Sequence, residues 1–265
     1  MRPARILASG LVLALAVGCG GGTSHAAKKD PLAVLSAAQS KTTAAKSAKI
    51  MMTVVAVAKG QTTRLTGDGA FDFGNKLGRM HMALPGPGGA DIAIDVVYSG
   101  TSFYMGSDVF QSIAGKHWLK VDLSTFTGDA SKFGAQDPTQ GLSFLTGASG
   151  AKVVGTETVR GQKATHYTAT INLDTALGKV KGVQKKLFDR YRQMLGATTM
   201  PVDAWIDDAG RVVRMVITTS ITAAGTPATS TVTVEYYDWG SAVTVALPPA
   251  SETGDGNALL GRLTG

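Results

Sequence analysis

Few side chains in this 265-residue chain are of the types that break or make bonds. There is one cysteine, Cys19, and there are four histidines, His25, His81, His117 and His166. A single thiol can form no internal disulfide and supplies no cysteine metal cluster. The histidines are scattered over the N-terminal segment and the predicted strands with no HExxH or comparable ligand spacing, so solvent-facing strand positions are expected for them. No G-x-S-x-G elbow is present. The glycine-rich "PGPGG" at 85–89 lacks the Lys-Ser/Thr and the helix that a phosphate cradle needs, and Asp207 and Asp208 lack the remainder of a calcium loop. The residues therefore give no catalytic constellation, no metal site and no cofactor site; the expectation is a protein that is not an enzyme.

What remains is the placement of Cys19. Arg2 and Arg5 make the N-terminus basic, and Ile6 to Val17 is apolar apart from Ser9 and Gly10. That run is about half the ~20 residues a membrane-spanning helix requires. A basic start, a short apolar core and small residues at its end describe a secretory signal peptide. Its end, Ala16-Val17-Gly18-Cys19, resembles a bacterial lipobox, where cleavage falls before a cysteine whose sulfur already carries a diacylglycerol. The competing reading is an ordinary signal with a chance cysteine. The uniqueness of Cys19, its place at the boundary and the soft "GGGTSHAAKK" behind it favour the lipid anchor. Residues 1–18 are thus expected to be a lipoprotein signal and 19–29 a flexible tether. The domain would be extracytoplasmic, held to the cell membrane through acylated Cys19, for which two acyl chains suffice.

The whole chain carries 26 basic and 19 acidic side chains, formally +7; without Arg2 and Arg5 the balance is +5. That excess suits anionic lipid better than nucleic acid, because no basic stripe is interleaved with aromatics. Residues 30–249 suffice for one sizeable domain.

A helix is expected from Asp30, which can cap it, through Pro31 to about Ser47. The period then changes to two. "KIMMTVVAVAKG" is apolar on both faces, Ile50, Met52 and Val54 on one and Met51, Val55 and Val57 on the other. Such a strand needs cover on both sides, or one face in a core and the other in a pocket. Further strands are expected in "QTTRLTGDGAFDFG", "LGRMHMAL", "ADIAIDVVYSGTSFYMG" and "KHWLKVDL", separated by glycine-rich turns, the pattern of an antiparallel meander. Asp137 to Ala148 reads as a short helix, and 151–173 as a hairpin turning at Arg160-Gly161. Residues 174–196 carry the longest helical period, with Leu177, Val180, Val183, Leu187, Tyr191 and Met194 on one face. Three or four strands follow, with a turn at Asp207 to Gly210, and Pro248-Pro249 closes the domain. Residues 250–265 read as a loose, disordered tail. The plan is α+β, with about eleven strands, three helices and no repeat.

In this order, the cysteine motif "AVGC", the hairpin "GTETVRGQKATHYTATINL" and the segment "MPVDAWIDDAGRVVRM" resemble the LppX/LprAFG lipoproteins of actinobacteria, and more distantly the LolA and LolB lipoprotein carriers. The resemblance implies a half-open antiparallel β-barrel whose open face is covered by helices, with an apolar cavity between them. It also implies binding of acylated lipid or glycolipid there and a part in moving it across the cell envelope, with an envelope transporter or other protein as a further partner. Candidate cavity residues, by strand alternation, are Met52, Val54, Leu65, Phe71, Met80, Met82, Ile92, Ile94 and Val96. Methionine is soft and fills irregular space, which suits acyl chains, although the same residues would serve as ordinary core. On the long helix Lys185, Lys186 and Arg190 form a basic face that could meet anionic headgroups. A second reading stays open: an interaction or sensory lipoprotein of the same fold with a collapsed core and no lipid cargo.

Overall fold

The computed structural model describes residues 30–122, 140–178, 198–223 and 226–258. Cys19 and its tether, most of the 174–196 helix including Lys185, Lys186 and Arg190, and His25 lie outside the described residues.

Helix α1 (Pro31–Thr43) begins where the sequence places it. The Asp30 carboxylate accepts from the Leu32 amide at 3.1 Å, and Pro31 occupies the first turn, where no amide partner is needed. The helix stops at Thr43, and strand β1 (Ser47–Ala58) starts after a turn in which Lys46 takes a positive φ. Strands β2 (Gln61–Asp72), β3 (Leu77–Pro85), β4 (Asp91–Ser99), β5 (Ser102–Gly106) and β6 (Trp118–Asp122) continue as a meander. The 90–106 run is thus two strands, broken at Gly100, whose φ of 61° favours glycine. Between β5 and β6 stands a helix that sequence reading did not anticipate, α2 (Asp108–Ala114). It spans only seven residues and buries none of them, so its exposed Val109 and Ile113 and half-buried Phe110 are too short a run for a periodicity argument to single out.

Helix α3 (Gln140–Phe144) and a 3-10 turn at Leu145–Gly147 make the short helical element. The hairpin β7 (Ala148–Val159) and β8 (Gln162–Asn172) turns at Arg160-Gly161, both at positive φ, and α4 (Leu173–Gly178) follows. Strands β9 (Thr199–Asp207), β10 (Val212–Ala223) and β11 (Thr226–Tyr237) complete the second half, with Gly210 at φ 84° in the 207–210 turn.

The sequence assigns residues 250–265 to a loose tail, and for 250–258 the structure corrects this. A 3-10 turn at Ala250–Glu252 leads into β12 (Thr253–Asp255), which pairs parallel to β6. The Asn257 side-chain oxygen then accepts from the Asp122 amide at 3.0 Å. Three residues without alternation give no strand signal; hydrogen bonds to the distant 116–122 segment hold them in place.

All twelve strands form one sheet, ordered β12-β6-β5-β4-β3-β2-β1-β11-β10-β9-β8-β7. Every pairing but β12–β6 is antiparallel, and the sheet does not close, since β7 and β12 each have one neighbour. The halves meet where β1 pairs with β11, from Lys49 opposite Tyr237 to Ala58 opposite Ala228. The main core lies on one face, here called inner. Leu35 and Ala38 of α1, Leu142 and Phe144 of α3, and Leu145 pack there against Ile50, Ile171, Val202, Met215 and Tyr236. Thr42, fully buried, ties α1 to the sheet. Its hydroxyl donates to the Ala38 carbonyl at 2.7 Å and accepts from the Val212 amide at 2.9 Å.

The two-faced β1 is resolved by its central place. Its inner face joins the core. Its outer face lies among threonines and stays half exposed, Val55 opposite Thr231 and Arg64, and Val57 opposite Thr229 and Thr62. Of the two arrangements the sequence left open, cover on both sides or one face in a core and the other in a pocket, the first is not met among the described residues, where Val57 is exposed.

Candidate functional site

Antiparallel partners point to the same side of a sheet, so register alone assigns faces. Tyr236 stands opposite Ile50, Ile50 opposite Gly69, Gly69 opposite Met80, and Met80 opposite Val96. One step along, a row runs Tyr167, Ala204, Met215, Val234, Met52, Gly67, Met82, Ile94 across eight strands without one charged side chain. The next row runs Ala169, Val202, Ile217, Val232, Val54, Leu65, and Leu84 faces Ile92 at its far end. The nine candidate residues therefore share a single face, the inner one.

Their surroundings differ along the strands. Phe71, Met80 and Val96 are buried, and Phe71 touches Phe73 and Tyr98 at ring separations of 5.8 and 5.9 Å. These three are fixed parts of the packed interior. Met52, Val54, Leu65, Met82, Ile92 and Ile94 are half-buried, so the apolar rows lose cover toward the β1–β2 turn. Sequence reading missed as candidates the β8–β11 half of the same rows, Ala204, Ile217, Val232 and Val234 among them. The signal was the period-two pattern already visible in 200–237.

Two glycines set the relief of this face. At Gly69 a Cβ would collide with the Arg79 carbonyl oxygen, so only glycine permits this approach of β2 to β3. At Gly67 a Cβ would stand 3.0 Å from Met82 Cγ and 3.5 Å from Met80 Sδ. The two flexible thioether chains thus lie over strand positions that have no side chain. These flexible side chains fill the space that the glycine leaves, and they can be displaced at little rotamer cost.

The outer face is where the charges pair. Arg79 Nη2 donates to Asp95 at 3.0 Å, and Lys49 meets Asp238 at 2.7 Å. Glu235 receives Arg160 and Arg214, each at 2.6 Å. Burial disfavours the charged Glu235, but the hydrogen bonds and charges of Arg214 and Arg160 outweigh it and hold the carboxyl below its usual value. The Lys49 ammonium is raised by its hydrogen bond to Asp238.

His166, expected to face solvent, is instead largely covered. Its ring stacks on Trp205 at 4.1 Å, and Nε2 lies 2.8 Å from Asp203 Oδ1. Its Nδ1 is 3.2 Å from Glu157 Oε1 but off the hydrogen-bonding direction, and is left without a partner. The Trp205 indole N–H donates to Glu157 at 2.9 Å. Strand pairing assembles this cluster from β7, β8 and β9, which sequence distance conceals. His81 is exposed beside Asp95, and His117 is 3.3 Å from Asp108. Among the described residues no three His, Cys, Asp or Glu side chains are arranged to hold a metal ion. Among the same residues no helix is long and apolar enough to cross a membrane.

The chain is similar to several known proteins. The profile of the LppX_LprAFG lipoprotein family matches residues 30–245. A 31.2 kDa protein from the rplA-rplJ intergenic region of Streptomyces griseus is 30% identical over 258 residues, spanning 88% of this chain and 81% of that one. Among solved structures, LprF from Mycobacterium bovis is similar at 17% identity and a TM-score of 0.47, covering 83% of this chain and 97% of its own. Mycobacterium tuberculosis lipoprotein LppX is similar at 16% identity and a TM-score of 0.45, covering 81% and 99%.

Proposed function

This chain belongs to the LppX_LprAFG lipoprotein family, and from that premise we propose that it is a membrane-anchored carrier, not an enzyme, whose inner sheet face takes the acyl chains of a lipid or glycolipid. Acylated Cys19 is the anchor, and the protein works outside the cytoplasm. The observation that carries the reading is the row from Tyr167 to Ile94, uncharged over eight strands and only half covered at Met52, Met82 and Ile94. A soluble domain seldom leaves so continuous an apolar surface accessible without a ligand for it.

The energetics favour transport over storage. Each acyl methylene leaving water for an apolar site gains about 0.8 kcal/mol. The same methylene already has that gain in a bilayer, so exchange between membrane and protein is close to neutral. The protein's benefit is to spare the chain exposure to water in transit, an effect on rate. Lys185, Lys186 and Arg190 would turn the loading end toward anionic headgroups, and an envelope transporter is the natural donor or acceptor.

The test is native mass spectrometry of protein purified from its own envelope. Bound lipid is expected in the wild type, and Met82→Trp or Ile94→Trp should displace it by crowding the half-buried inner face. Protein that is lipid-free, and that crosslinks instead to an envelope protein, would favour the interaction-module reading and end this one.

A further inference from the structure

The strand register sends several connections to one end of the sheet. Val57 and Ala58 lead into the β1–β2 turn, Pro85 to Asp91 close β3 onto β4, and α2 joins the same end of β5 to that of β6. The Ser107 hydroxyl donates to the Ala93 carbonyl at 2.9 Å, so α2 takes the place of a longer β5 beside the start of β4. This is the end toward which the inner apolar rows lose cover, at half-buried Leu84 and Ile92. Three large aliphatic side chains stand outside here: Val57 is 41% exposed, Val109 43% and Ile113 58%. Val109 and Ile113 are four residues apart, on one face of α2. Between α2 and Val57 lies the turn at 85–90, which carries no charge.

We infer that this rim is where the domain rests on a lipid bilayer, with Val57, Val109 and Ile113 as tips entering the headgroup layer. The inference rests on the anchored-carrier reading, which supplies the surface. Residues 19–29, fully extended, reach at most about 40 Å from an acylated Cys19, so a membrane is always close to the domain. The chemistry of the rim suits that surface. Its charges balance among the described residues, Lys59, Arg64 and Lys116 against Asp91, Asp108 and Asp174, with His117 beside Asp108. Charge thus neither drives nor opposes the contact, and the apolar tips decide it. The anchors of a protein partner fill packed pockets. Tips standing out on separate elements along one line suit a soft interface that moulds around each. The uncharged inner rows open onto this rim, so an acyl chain can pass between bilayer and sheet without crossing water.

The experiment places an NBD dye on Val57→Cys, Ala90→Cys or Ile113→Cys in the full-length acylated protein, where Cys19 offers no free thiol. The protein is reconstituted in neutral phosphatidylcholine vesicles whose acyl chains carry nitroxide. Asp208→Cys, in the turn at the opposite end, is the reference; the twelve residues of β1 alone span about 40 Å. Quenching is expected at all three rim positions and not at the reference. Val109→Ser/Ile113→Ser, which alters only exposed side chains, should keep the circular dichroism and lose most of the quenching at Ala90→Cys. Quenching that is absent at the rim, equal at both ends or indifferent to the double change overturns the inference. So does a label on Ile113→Cys that, without lipid, becomes shielded from iodide as protein concentration rises, since a second copy then covers the rim. Native mass spectrometry of the same protein separates the two readings. Bound lipid with an unquenched rim overturns this inference alone, and a quenched rim without bound lipid upholds it while ending the carrier reading.

Discussion

Val54 and Val55 are neighbours on β1 and point to opposite sides of the sheet, which makes them a matched pair for testing what the inner face does. Val54 is half-buried between Leu65 and Val232 on the inner side. Val55, equally half-buried, stands between Arg64 and Thr231 on the outer side. Aspartate at either position costs up to about 1 kcal/mol in strand preference, so that term cancels between the two. At 55 the new carboxylate faces Arg64 directly and regains about 0.2–1 kcal/mol as a cross-strand pair. At 54 it faces two aliphatic side chains and, in the loaded state, an acyl chain. Desolvating an unpaired carboxylate there costs at least about 3 kcal/mol, which is over a hundredfold in affinity. The free protein escapes most of that cost because position 54 still reaches water. Val54→Asp should therefore fold and lose its lipid, while Val55→Asp should fold and keep it. Lipid occupancy by native mass spectrometry, alongside circular dichroism for folding, reads both. Equal occupancy in the two variants would refute the assignment of the inner face as the acyl surface.

Three further outcomes concern the frame. Leu35→Ala empties a fully buried site beneath α1 and should cost about 2–5 kcal/mol, seen in calorimetry as a fall in Tm on the order of 10 °C. Thr42→Val keeps the shape but orphans the Val212 amide; a loss of about 1–3 kcal/mol is expected, largely restored by Thr42→Ser, in denaturant titrations. Because Glu235 is held below its ordinary value of 4.5, its contribution is present above that pH and is lost as pH falls through the lowered value; Glu235→Gln should flatten this part of the stability–pH curve.

The inner face was legible because period-two alternation is a local property. Once Met80, Met82 and Leu84 alternate with Arg79, His81 and Ala83, any antiparallel pairing that hides one member hides the set. Position along the strand was not legible. Nothing in "RMHM" says that Met80 is buried in the core with Phe71 while Met82 is only half-buried, since that depends on packing between residues distant in sequence. The His166 cluster was invisible for a related reason. Glu157, His166 and Asp203 converge only through two strand registers, β7–β8, which is bulged, and β8–β9. Helix α2 and strand β12 escaped because neither buries an apolar stripe; Ser107 and Gly115 flank α2, but caps without a periodic segment between them are weak signals.

The seam at the middle of the sheet bears on when the molecule can form. Strand β1 lies near the beginning of the domain, and β11, its partner, ends at Tyr237. Until the chain through Tyr237 has been made, β1 has one neighbour only, and the two meanders cannot join. Such long-range closure is slow. For a chain exported before it folds, as proposed above, that delay is useful, because the two halves of the sheet stay apart until β11 arrives.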